Sequence, residues 1–255
     1  MNFGHRNKDF YEGYNCNTFF TIKDLHKRIS KLFINGDLLN AAVFWYTNIE
    51  RQKNGLQQFK YHDKLKQMAT LQSKQMREHN FFDHENRFDN RYKTLSDRLE
   101  VVKDETFYGF VNYAENIADC PVIKANESFT YSFKNNVVHL YSLDGKEIFP
   151  FTYTEMAKSV VDAWMNSPGH RANIMNPDYI YLGCGCAPYE NKGQGYSITY
   201  FKLTQNFGGI LMPPSISTIV KKTINLIKQK SRDVFNPHIS DKPKSNVSFG
   251  GMKQN

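Results

Sequence analysis

At 255 residues, with 40% hydrophobic and 15% aromatic side chains, the chain is too apolar for a disordered polymer and long enough to bury one ordinary core with tails to spare. No run reaches the ~18 consecutive apolar residues of a bilayer-spanning helix, and the first thirty residues carry no apolar leader segment. The net charge of +8 is concentrated at one end: eight Lys or Arg from Lys221 onward face two Asp, so the body is close to neutral and nucleic acid is not its expected partner.

The first twenty residues, rich in Asn, Tyr and Gly, have no period and read as an arm. Ile22, Leu25, Ile29, Leu32 and Phe33 then fall at helical spacing before an Asn35-Gly36 stop, which predicts a short helix completing an N-terminal segment over 1–36. A second helix is expected from Asp37 as N-cap to Asn54-Gly55, and a third from about His62 to His79, with Leu65, Met68, Ala69 and Met76 on its buried side. A short helix follows near 95–101. The runs 129–133 and 137–142 read as a hairpin around "KNN", followed by a turn at Asp144-Gly145.

Thr152 with Glu155 three residues later is a capping box, opening a helix whose Ala157, Val160, Val161 and Trp164 lie on one stripe and which Pro168-Gly169 ends. Two strand-like runs, "YIYLGCGCAP" and "GYSITYFKLTQNFG", close the body around a polar loop, "YENKGQG". Helices alternating with antiparallel strands predict an α+β sandwich. Beyond 209 the composition turns basic, and residues 216–235 have the pattern of an amphipathic helix, which docks on the body or lies on an anionic membrane surface; 236–255 read as disordered. Cys16, Cys120, Cys184 and Cys186 are too few and too scattered for a disulfide framework and are expected free. Cys184 and Cys186 read as packing thiols, since a Cys-x-Cys metal pair lacks a second pair here.

Three stretches place an acid-base or metal-competent side chain beside a structural stop: "NFFDH" ending at His84, "AENIA" around Glu115 and "SPGH" ending at His170. Taken singly, His84 reads equally as a loop imidazole bonded to backbone, His170 as a cap on the preceding helix, and Glu115 as a solvated carboxylate. No Ser or Cys sits in a recognisable nucleophile motif.

Together with "NIERQKNGL" (48–56), "WMNSPGHRANIM" (164–175), "YLGCGC" (181–186) and "TQNFG" (204–208), these stretches occur in the order and near the spacing of a known family. The chain resembles the bacterial branch of the CAP superfamily of cysteine-rich secretory proteins, antigen 5 and pathogenesis-related proteins, over about 37–208. The resemblance implies a three-layer α/β/α sandwich with a central antiparallel sheet, and a secreted or surface-exposed protein. It also implies a cleft in which His84, His170 and Glu115 hold a divalent metal, zinc foremost. Two departures stand out. Ser167 occupies the position of the family's second glutamate, and 119–151 looks inserted. Asn48 and Arg51 match the first-helix signature and read as structural. The expected function is a non-catalytic binding module for a small molecule, a lipid or a protein. The alternatives are a metal-dependent hydrolase with Glu115 as general base, and a peripheral membrane binder acting through the C-terminal helix.

Overall fold

A computed structural model describes residues 10–124, 129–134, 137–193 and 195–211, together with Pro213, Thr223, Leu226 and Ile227. Residues Met1–Met212 form one compact unit and Pro213–Asn255 a second. In the first, helix α1 (Gly36–Lys53) is followed by the two-residue strand β1 (Lys60–Tyr61), α2 (Asp63–Glu78) and α3 (Leu95–Val102). Then come β2 (Tyr113–Pro121), the small strands β3 (Phe129–Lys134), β4 (Val137–Ser142) and β5 (Glu147–Ile148), and helices α4 (Tyr153–Asn166) and α5 (Pro168–Met175). The long hairpin β6 (Tyr181–Gly193) and β7 (Tyr196–Gly208) completes it. The main sheet has the order β1-β6-β7-β2, antiparallel except for the short parallel edge pair β1–β6, while β3-β4-β5 make a separate antiparallel sheet.

The layering follows from the alternation "GCGC" in β6. Successive strand residues point to opposite faces, and here one face carries Cys184 and Cys186, which are buried in the larger core with residues of α1 and α4. The other face carries Gly183 and Gly185, against which the α2 backbone lies directly: a Cβ at Gly183 would sit 2.1 Å from the Lys66 nitrogen, and one at Gly185 2.2 Å from that of Thr70. A smaller core of Leu65, Met68, Leu99, Val102, Phe107 and Phe110 packs α2 against α3 on this second side. Helices thus cover both faces of the sheet, giving the expected α/β/α arrangement. All four cysteines are free, and burial pushes the Cys186 thiol up to about 12.

Several elements match the sequence reading in kind and differ at their ends. The N-cap of α1 is Asn35, whose side chain accepts from the Leu38 amide, and Asp37 lies inside the first turn. The box Thr152–Glu155 caps α4 reciprocally, and a second one, Thr94–Asp97, starts α3. Pro168 does more than end α4. It occupies the first turn of α5, where its missing N–H costs nothing. The stretch read as a polar loop is mostly strand, since β6 and β7 stay paired out to Gly193 and Tyr196.

The largest correction concerns residues 22–33. In place of an α-helix there are two single 3-10 turns, Phe19–Thr21 and Lys23–His26, followed by extended chain in which the Ile29 amide donates to the Phe151 carbonyl at 2.8 Å. Leu25 and Ile29 are buried, but Leu32 and Phe33 are exposed. The spacing was that of a helix, and the backbone found its partner across the fold instead. The arm before it is also part of the core: Cys16 and Phe19 are buried, and the Trp45 indole N–H donates to the Phe10 carbonyl. The amphipathic helix expected over 216–235 lies outside the described residues apart from Thr223, Leu226 and Ile227, which are helical, and 236–255 lie outside them altogether. No helix among the described residues is long and apolar enough to cross a membrane.

The contact of α2 with β6 gives a stability prediction. Gly185→Ala forces a methyl into the α2 backbone, which cannot yield as a side chain would, and should cost about 2 kcal/mol or more. Urea unfolding with an unchanged midpoint would show that α2 does not rest on this glycine.

Candidate functional site

Strand β2 is the outer strand of the main sheet, so its residues can meet groups from both helical layers at one edge. Glu115 and Asn116 are adjacent on it and therefore face opposite layers. Asn116 turns towards α5. Its amide donates to the His170 carbonyl and to Gln205 Oε1, both at 3.2 Å, and its oxygen accepts from Asn173 at 2.8 Å. Gln205 in turn donates to Thr47 of α1 at 2.7 Å. The far end of α5 is held by the buried Arg51, which donates to the Ile174 and Asn176 carbonyls and stacks on Phe59, while Asn48 pairs with the Phe59 backbone. Both first-helix signature residues are therefore structural.

This clamp positions His170. It stands in the first turn of α5, three residues before Asn173 and on the same helical face, so fastening Asn173 to β2 fixes where the imidazole stands. His170 is thus helical, and it does not cap the helix before it. Its Nδ1 is 2.9 Å from the Ser167 hydroxyl, which sits at the N-cap of α5 without bonding the helix amides. Ser167, in the place of the family's second glutamate, therefore supplies an oriented hydroxyl and no charge.

Glu115 faces the other layer, where its carboxylate is almost wholly buried. The fully buried Arg98 of α3 donates from Nη2 to both carboxylate oxygens at 2.9 Å, from Nη1 to the Tyr92 carbonyl, and from both nitrogens to the His84 carbonyl. His84 lies in the loop after α2 with its ring about half exposed, and its Nδ1 is 2.9 Å from Glu115 Oε1. A carboxylate held by a guanidinium accepts hydrogen bonds only, so His84 carries a proton on Nδ1. Its neutral form keeps a lone pair on Nε2.

The structure thus brings His84, His170 and Glu115 to one edge, and it changes the part Glu115 plays. The expected metal triad does not appear as such: among the described residues no group of three or more His, Cys, Asp or Glu side chains is arranged to hold a metal ion. Glu115 is engaged by Arg98 and His84, while the His84 ring is about half exposed and His170 is part-buried. Sequence reasoning missed Arg98. The signal was present, because Leu95, Arg98, Leu99 and Val102 follow the i, i+3, i+4, i+7 pattern, and an arginine in an otherwise apolar stripe needs a buried counter-charge.

A sequence model described as the cysteine-rich secretory protein family, CAP, matches residues 45–207, well over half the chain. The chain belongs to the CAP family. Among curated proteins this CAP domain is 30% identical over 139 residues to a Bacillus subtilis (strain 168) protein described as uncharacterized protein YkwD, covering 54% of the chain and 38% of that relative. It is 28% identical over the same length to that organism's uncharacterized membrane protein YlbC, covering 54% of the chain and 29% of that relative. The match therefore spans less than two fifths of either. Among solved structures, an extracellular SCP-domain protein of Bacillus anthracis (strain Ames) aligns with TM-score 0.44 and 24% identity over 69% of this chain and 41% of that one. An outer surface protein of Borrelia burgdorferi aligns with TM-score 0.39 and 17% identity over 66% and 90% of the respective chains.

Two predictions follow from the geometry. The Arg98–Glu115 pair is buried on both sides, so Arg98→Met strands a carboxylate and should destabilise the domain by about 3–5 kcal/mol, measured by denaturant unfolding. A loss below ~1 kcal/mol would mean the carboxylate has another support. The two imidazoles should also titrate apart. The hydrogen bond to Glu115 raises the His84 pKa above the ordinary imidazole value, whereas burial, with the nearby His84 as a smaller cause, lowers that of His170. The His84 contribution to stability is accordingly full below its unfolded pKa and is lost as pH rises through its raised folded value. The His170 effect has the opposite sense: it costs stability as pH falls below its unfolded pKa. Proton NMR titration of the two rings in the reverse order would contradict the assignment.

Proposed function

We propose that this CAP domain is a non-catalytic binding module whose ligand enters the polar cleft at His84 and His170, with a divalent ion, zinc foremost, held by the Nε2 atoms of the two rings. The observation that carries this reading is that each ring is tied through Nδ1, His84 to Glu115 and His170 to Ser167, which leaves the other nitrogen of each for a ligand. Metal-binding histidines are commonly oriented by such a bond from the second nitrogen. Two neutral imidazoles are fewer protein ligands than a zinc site ordinarily has, so water or the ligand itself would complete the set; among the described residues no three-residue protein site is arranged to hold the ion. Such a site is exchangeable and loses metal on acidification, beginning at the raised pKa of His84.

The hydrolase alternative asks Glu115 to act as general base, and the bonds from Arg98 and His84 weigh against it. A small molecule, lipid or protein remains the expected occupant of the cleft. Placement outside the cell or on its surface rests on the secretory description of the family.

Calorimetric titration of zinc into chelator-treated protein at neutral pH, beside the His84→Ala, His170→Ala double variant, tests the reading. Binding by the parent and none by the variant is expected. Equal binding by both would move the metal elsewhere, and no binding by the parent would remove it from the function.

A further inference from the structure

We infer that the trough between α1 and α2 at the β6 edge is a second binding site, built for a small neutral polyhydroxylated molecule of sugar size. It is independent of the cleft at β2, which lies at the opposite edge of the sheet.

The trough exists because β1 is short. It pairs with β6 only at Lys60–Tyr181 and Tyr61–Leu182, so among the described residues no strand continues along the outer edge of β6 beyond Leu182. Helices α1 and α2 cover the two faces of the sheet there, and a cavity of about 560 Å³ remains between the start of α1 and one side of α2. Cys186 of β6 borders it, with its thiol donating to the Gly36 carbonyl at 3.6 Å. The volume lies in the range of small-molecule pockets.

One group in the wall calls for a ligand. Asn40 of α1 is 4% exposed, and its Oδ1 is buried with no hydrogen-bond partner. A buried acceptor without a donor is costly, so most such atoms are satisfied by the protein or by something bound to it. A ligand hydroxyl or N–H reaching Asn40 supplies the missing donor.

The rest of the wall decides the charge of that ligand. On α2, Asp63, Lys66, Gln67, Thr70 and Lys74 recur at three- and four-residue spacing and so share one face. Lys66 pairs with Asp37 of α1 at 2.7 Å, and Asp63 accepts from Tyr61 and Gln67 at 3.0 and 2.6 Å. Carboxylates and ammonium groups are therefore interleaved: an anion would meet Asp37 and Asp63, and a cation would meet Lys66 and Lys74. Neutral hydroxyls suit such a wall, because each both donates and accepts. Leu71 and the Cys186 sulfur offer apolar surface to the C–H face of a sugar.

The test follows the amide spectrum of the nitrogen-labelled full chain by NMR as glucose, maltose and N-acetylglucosamine are added, with phosphate and ethylammonium as charged probes. At least one sugar should give saturable shifts centred on residues 36–40 and 63–74, and the charged probes should give none of comparable size. Asn40→Leu removes the orphaned acceptor at nearly constant volume. It should unfold in urea no earlier than the parent and weaken the sugar roughly tenfold. Thr70→Arg, at a part-exposed position of α2, lays a long side chain across the trough and should remove the shifts, so it carries the test if Asn40→Leu does not fold. Sugar shifts that centre on His84 and His170, or that persist in the folded variants, overturn the inference. A chain that answers only to the charged probes, or to none of the five compounds, overturns it as well.

Discussion

The salt bridge between Arg98 and Glu115 ties the architecture to the site. Two opposite charges out of water are costly, and they persist only where geometry and further hydrogen bonds compensate. Here the guanidinium makes five hydrogen bonds to carboxylate and carbonyl oxygens while its Nε is left buried without a partner. The pair joins α3 in one helical layer to the outer strand of the sheet, and the loop bearing His84 is gathered onto it. A purely apolar contact at this point could have held α3 in place. It could not have oriented an imidazole.

The opposite layer solves the same problem without an ion pair. A chain of amides and hydroxyls, from Asn173 through Asn116 and Gln205 to Thr47, runs from α5 across two strands to α1, and Arg51 secures the other end of α5. The motif "GHRAN" is legible on these terms: His170 and Asn173 share a face, so one presents a ring to the cleft while the other fastens that face to β2. The two histidines are therefore delivered by unrelated elements, a loop and a short helix, each braced from inside the fold.

What could be read from the sequence was whatever local chemistry decides. The Thr152–Glu155 box, the buried stripe of α2 and the hairpin of β3 and β4 were visible because each is settled within a few residues. The segment 22–33 was misread because Leu25 and Ile29 satisfy a helical period, while the amide that matters bonds to Phe151, more than a hundred residues away. Pro168 reads as a terminator, and nothing local says that a second helix starts on the same residue. Of the three residues suggested by resemblance, His84 and Glu115 are in contact while His170 is held on α5 beside them, and the role of Glu115 depended on Arg98, a charge whose partner lies on another element. Periodicity registers position along a helix and is silent about what a buried charge will face.

The outer strand carries one more consequence. An unpaired edge exposes carbonyls and amides to any passing extended chain, and β2 has the Trp164 indole N–H on the Ile117 carbonyl and the Asn173 amide near that of Glu115. Two side chains serving the core and the α5 clamp thereby also occupy acceptors that a neighbouring molecule's strand would use. The packing that orients α5 thus also covers part of the sheet edge.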